Sequence, residues 1–232
     1  MRRLATQQLA KVTAGAAALC SLQALRSPHP CFRQVVSTQQ RFVGHSRLNA
    51  SLKAELQEEM SREDKTACPE VPPGWTIQHA PGSNFFTMKK TYQDETMEVH
   101  CVLPIRDPEI LEEKSGNHQE QCPFTLVVSK GGKAVDFTLT AIDGELVLDG
   151  IAFYNDAALA RDMSPDAMNK KDTRYAGPAL PELNEELVES FISYLEERGI
   201  NDSFAEFIEV YTFWMEQQEY ERWLADVAEF SA

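Results

Sequence analysis

PELNEELVESFISYLEERGINDSFAEFIEVYTFWMEQQEYERWLADVAEFSA, residues 181–232, is the stretch whose reading decides the fold. Its first half places Leu183, Leu187, Val188, Phe191, Tyr194 and Leu195 at helical spacing, with Glu182, Glu185, Glu186, Glu189, Glu196 and Glu197 largely on the opposite face. Arg198-Gly199 ends that helix, because glycine takes the left-handed conformation at low cost and lets Ile200 fold back on the last turn. A second helix is expected at once. Ser203 and Glu206 have capping-box spacing, and a core face follows through Phe204, Phe207, Ile208, Tyr211, Met215, Trp223, Leu224, Val227 and Phe230. The same segment holds 14 acidic residues against two basic ones, Arg198 and Arg222. Most of these carboxylates have no cation four residues away, so the pair of helices repels itself unless a cationic partner relieves it.

The pattern Tyr194-Leu195, Arg198-Gly199-Ile200, Phe204-Ala205 and Glu219-Tyr220 with Trp223-Leu224 resembles the C-terminal signature of the mitochondrial acidic matrix protein family, also called the mitochondrial glycoprotein family. The match from Gly74-Trp75 to Phe153 is one of pattern more than identity. The resemblance implies a ring-shaped homotrimer without a catalytic centre. The family's animal member is an acidic protein that binds complement and hyaluronan and associates with a splicing factor. Some protist members are tied to RNA editing through a basic RNA-binding partner.

Outward from the helices, the chain is 232 residues long with a formal charge of −14, unevenly distributed. Residues 1–47 carry seven basic residues (Arg2, Arg3, Lys11, Arg26, Arg33, Arg41, Arg47) and no acid. The other 15 basic residues (22 less seven) face all 36 acidic ones, a balance of −21. The basic, acid-free start reads as a mitochondrial transit peptide, drawn inward by a negative matrix potential, with cleavage between Phe42 and Ser51. A secretory signal is the competing reading, from the apolar run Ala14 to Leu25, but arginines continue through Arg47. The acidic remainder repels nucleic acid and anionic lipid and attracts basic proteins. No direct nucleic-acid contact and no membrane insertion are therefore expected.

Cys68, Cys101 and Cys122 remain after the presequence, an odd number without CxxC spacing, as suits a reducing compartment. His100 and Cys101 are neighbours on an expected strand and point to opposite faces, so they cannot share a metal. Residues 48–232 read as one α+β domain. Leu48, Leu52, Leu56 and Met60 form the narrow seam of a helix over 48–64, and the resemblance lays that seam on the C-terminal helix. Pro69, Pro72 and Pro73 then stiffen a linker to Gly74. Strands are expected over 75–79, 84–91, 96–103, 124–129, 134–140 and 145–154, joined mainly by short turns in a meandering antiparallel sheet. The family would add a seventh near Arg174-Tyr175. Asn155 to Ala179 reads as a polar loop in which Asp156, Asp162 and Asp166 lack calcium-loop spacing.

No phosphate loop, nucleophile elbow, HExxH or CxxC is present. The expected function is a non-enzymatic acidic scaffold or chaperone of the matrix, without cofactor or metal. It would bind basic RNA-binding or ribosomal proteins and so support RNA processing or editing, translation and respiration. Candidate partner contacts are Glu182, Glu185, Glu186, Glu189, Glu206 and Glu209, with Asp107, Glu109, Glu112 and Glu113 in the long loop 104–121. Phe213, Trp214, Tyr220 and Trp223 give the last helix aromatic residues on more than one side, to be covered by a neighbouring copy or by the N-terminal helix. The alternatives are a diffuse calcium buffer and an enzyme using paired carboxylates.

Overall fold

The computed structural model describes residues 43–63, 65–103 and 121–232. Residues 1–42, most of the segment 1–47 expected to be a transit peptide, lie outside them, as do Asp107, Glu109, Glu112 and Glu113. Six strands pair in chain order, every pair antiparallel. They are β1 (Thr76–His79), β2 (Phe85–Tyr92), β3 (Glu95–Val102), β4 (Gln121–Lys130), β5 (Lys133–Ile142) and β6 (Glu145–Tyr154). Asp143-Gly144 and Gly131-Gly132 sit at positive φ, the twist that two-residue hairpins require.

Strand alternation sends Phe86, Met88, Met97, Val99, Leu126, Phe137 and Leu139 to one face, all essentially buried. Helices α4 (Glu185–Glu196) and α5 (Asp202–Phe230) contribute Leu195, Phe204, Phe207, Ile208, Tyr211 and Met215 to this same core. Phe86 meets Tyr211 edge-on at 4.9 Å, and Trp75 lies 5.2 Å from Phe204. Each such side chain stabilises the fold by roughly 1.5–3 kcal/mol on burial.

At about 1.5 Å per residue, the 29-residue α5 is about 44 Å long. Its first half covers the sheet; its second half packs on α1 (Val43–Ser61), where Leu52, Leu224 and Ala228 form a separate small core with Leu56, Tyr220 and Val227. Asn49 Nδ2 adds bonds to the Ala228 carbonyl and to Ser231 Oγ. The helix starts five residues before Leu48 and stops at Ser61, and the ends of its expected seam, Leu48 and Met60, stay exposed.

The stretch after β6 departs from the expected loop. It forms α2 (Ala157–Arg161) and α3 (Pro165–Asp172), capped by Asp156, which accepts from Ala158 N, and by Ser164, which accepts from Ala167 N. Ala157 and Ala160 of α2 join Val127, Ala134 and Tyr154 in a second cluster on the sheet face away from α5. The turn signals Asp156 and Ser164-Pro165 were in the sequence, but helices this short give no clear periodicity. No seventh strand forms at Arg174-Tyr175; Tyr175 is exposed. The chain does run beside β6 there: a Cβ on Gly177, at φ 94°, would sit 2.0 Å from the Ile151 carbonyl oxygen. Pro178 and Pro181 lack the N–H groups that a ladder needs.

Candidate functional site

The acidic residues fall into two environments. On the outer side of α4 and the single 3₁₀ turn before it (Leu180–Glu182), Glu182, Glu185, Glu186 and Glu189 are all exposed. Among the described residues none of the four enters an ion pair. Asn184 Oδ1 accepts from Glu186 N at 2.8 Å and caps the helix. Carboxylates in a first turn are also favoured by the positive end of the helix, which is how α4 tolerates this crowding. Glu206 is exposed too, on α5.

Elsewhere the acids are structural. Arg198, just past α4, is buried, and its guanidinium grips Glu95 at the start of β3 in a fork: Nε donates to Oε2 at 2.7 Å and Nη2 to Oε1 at 3.1 Å. Its Nη1 donates to the Tyr194 carbonyl at 2.8 Å, its carbon stands 3.3 Å over the Tyr194 ring, and Tyr194 OH donates to Glu95 Oε1 at 3.2 Å. Burial, then the Glu95 charge, push the Tyr194 hydroxyl pKa up. Gly199 follows at φ 80° with Ile200 N bonded to the Leu195 carbonyl, the helix end expected from the sequence. Lys90 Nζ donates to the Arg198 carbonyl at 3.1 Å. The start of α5 differs from expectation: Asn201, not Ser203, is the cap, accepting from Phe204 N.

Glu209 is no free partner contact. Both its oxygens accept from Gly144 N, at 3.1 and 3.2 Å, and tie the β5–β6 turn to α5. Glu219 does the same for the β1–β2 turn, accepting from His79 Nε2 at 2.9 Å and from Gly82 N at 2.8 Å. Burial would raise its pKa, but those two bonds and nearby Arg222 hold it below the ordinary value. These ties cross 65 to 140 residues, a separation at which sequence periodicity carries no signal. Of the aromatic candidates, Phe213 and Trp214 pack on the sheet core, Tyr220 is partly covered by α1, and Trp223 is 56% exposed.

His100 and Cys101 point to opposite faces, as expected, and both are buried. Burial lowers the His100 pKa against the pull of Glu98 and pushes the Cys101 thiol up to about 11, which leaves the thiol inert beside Thr212 Oγ1. Asp136 is pushed up to about 6 by burial, opposed by Lys171. Among the described residues no three His, Cys, Asp or Glu side chains are gathered to hold a metal ion, and no helix is long and apolar enough to cross a membrane.

Comparison with known proteins agrees with the geometry. The family model described as mitochondrial glycoprotein matches residues 48–231. Over 109 residues the chain is 38% identical to the mitochondrial acidic protein mam33 of Schizosaccharomyces pombe, spanning 47% of this chain and 40% of that protein. An uncharacterized mitochondrial protein of Arabidopsis thaliana is 23% identical over 174 residues, 64% of its length. The chain thus spans less than two thirds of these curated relatives. The crystal structure of the Trypanosoma brucei p22 protein is similar with a TM-score of 0.74 at 36% identity, covering 82% of this chain and 100% of that one. A Leishmania major protein described as a homologue of human p32 is similar at 0.71 and 32% identity, covering 82% and 99%.

Proposed function

This chain belongs to the mitochondrial glycoprotein family and is a mitochondrial protein, and on that premise we propose that it is a non-enzymatic acidic scaffold of the matrix that docks basic proteins. The observation that carries the reading is the imbalance left after folding. Of the two cations in the last 52 residues, Arg198 is consumed by Glu95 inside the protein, so the outer side of α4 keeps its negative charge. At a Debye length of roughly 8 Å in physiological salt, single charges are screened while a dense row still attracts. Basic RNA-binding or ribosomal proteins fit that row, and through them the chain would act on RNA processing or editing and on translation without gripping RNA itself. We further propose assembly as a homotrimer, which would cover exposed Leu187, Ile192 and Phe153, and import by a presequence within residues 1–47.

The test is capture of basic proteins from matrix extract at low and high salt. Changing Glu182, Glu185, Glu186 and Glu189 together to Gln should abolish the salt-sensitive part of the capture. Unchanged capture by that variant, or capture indifferent to salt, would sink the reading. Native mass measurement decides the subunit count.

A further inference from the structure

On the sheet face away from α5, the paired ends of β2 and β3 and the turn between α2 and α3 enclose a hollow of about 390 Å³. Phe85 and Val102, cross-strand partners that are 47% and 50% exposed, line it together with Met163 and Ser164. His100, two residues before Val102 and so on the same face, lines it as well, yet is only 6% exposed. Neither of its ring nitrogens has a hydrogen-bond partner among the described residues; Nε2 faces Glu98 Oε1 at 3.4 Å, and nothing answers Nδ1. Ser164 Oγ is spent on capping α3, where it accepts from Ala167 N. Buried polar groups are ordinarily satisfied, so a bare imidazole nitrogen on the wall of a hollow marks a missing partner.

The charges around the ring are already answered. Glu98 is met by Lys89 Nζ at 3.3 Å, and Lys171 Nζ, near Asp136, donates to the Ala160 carbonyl at 2.6 Å. Burial, opposed by Glu98, lowers the His100 pKa and favours the neutral ring. A neutral imidazole with Nε2–H toward Glu98 leaves Nδ1 as an acceptor, and the other tautomer leaves it a donor; a hydroxyl serves either. Phe85 offers a ring and Met163 a thioether, both of which favour an aromatic neighbour. We propose that this hollow binds an uncharged aromatic alcohol of the phenol class, its ring among Phe85, Val102 and Met163 and its hydroxyl on His100. The inference goes beyond the scaffold reading above and does not rest on it.

The full chain is titrated with 2-naphthol and with its methyl ether, which keeps the rings but cannot donate, and binding is followed by calorimetry and by the imidazole nitrogen resonances. The naphthol should saturate one site, shift the His100 resonances and bind about fivefold to tenfold tighter than the ether. His100→Phe, which also identifies those resonances, should erase the difference between the probes. Phe85→Ala, at a half-exposed position, should weaken both probes about threefold to tenfold without moving their ratio, and guards against misfolding of the histidine variant. Equal affinity for the two probes, a ratio unmoved by His100→Phe, or affinities unmoved by Phe85→Ala overturns the site. Failure to saturate also overturns it, since the hollow would then hold only water. So does a drop in subunit count for Phe85→Ala in native mass measurement, because the hollow would then be a contact between copies. None of these outcomes bears on the α4 capture experiment.

Discussion

The outer side of α4 and the corner where α4 meets α5 are equally rich in charge, and they use it in opposite ways. On the outer side Glu182, Glu185, Glu186 and Glu189 stand in water with no ion partner among the described residues, so their charge is available to another molecule. At the corner Glu95 and Arg198, each with a side chain about 10% exposed or less, neutralise one another and fix the angle between helix and sheet. Charge on a chain is thus of two kinds. What separates them is burial, since a buried charge must find a partner and a solvated one need not.

The largest break in that contrast is expected at the corner. Arg198→Met leaves Glu95 buried without its fork and should destabilise the protein by about 3–5 kcal/mol in denaturant unfolding, while Glu95→Gln with Arg198→Met should recover part of the loss. Next comes Glu219→Gln, which removes a charge-assisted clasp on His79 and Gly82 and should cost about 1.5–3 kcal/mol. Because the folded pKa of Glu219 is depressed, its contribution is present above the ordinary carboxylate value and is lost as pH falls through the lower folded one. An unfolding series from pH 6 down to 3 should show the wild type losing stability there and the variant losing less.

Asp136 sharpens the contrast with the opposite sign. Its folded pKa of about 6 exceeds the ordinary 3.8, so the folded state holds the extra proton between these values and stability falls as pH rises through the window. Asp136→Asn should raise stability at pH 8 by about 1–2 kcal/mol and flatten that part of the profile. The smallest effect belongs to the outer side of α4. Changing its four glutamates to Gln should alter stability by less than about 0.5 kcal/mol, so that any lost capture of basic proteins reports the surface and not the fold.

How much of this was legible beforehand differs between fold and site. The alternation of the strands, the Asp143-Gly144 and Gly131-Gly132 turns and the Arg198-Gly199-Ile200 helix end are local, and each appears where the sequence pointed. The two short helices after β6 were missed because five and eight residues span too few turns for a period to emerge. At the site, Glu206 is exposed while Glu209, three residues on, is tied to Gly144. A one-dimensional pattern treats both as solvent-facing glutamates. The aromatic residues of α5 divided in the same way: α1 shelters Tyr220 while Trp223 is left open.

The sequence by itself determined an acidic α+β chain, its strands and long C-terminal helices, the family signature and the excess of carboxylates, because these depend on composition and on neighbours a few residues apart. Only the tertiary structure decided which carboxylates are spent. Arg198 reaches back 103 residues to Glu95, and Glu219 reaches back 140 to His79. Partners at such distances are brought together by packing of the sheet against the helices, and that packing sets which charges must pair and which remain in water.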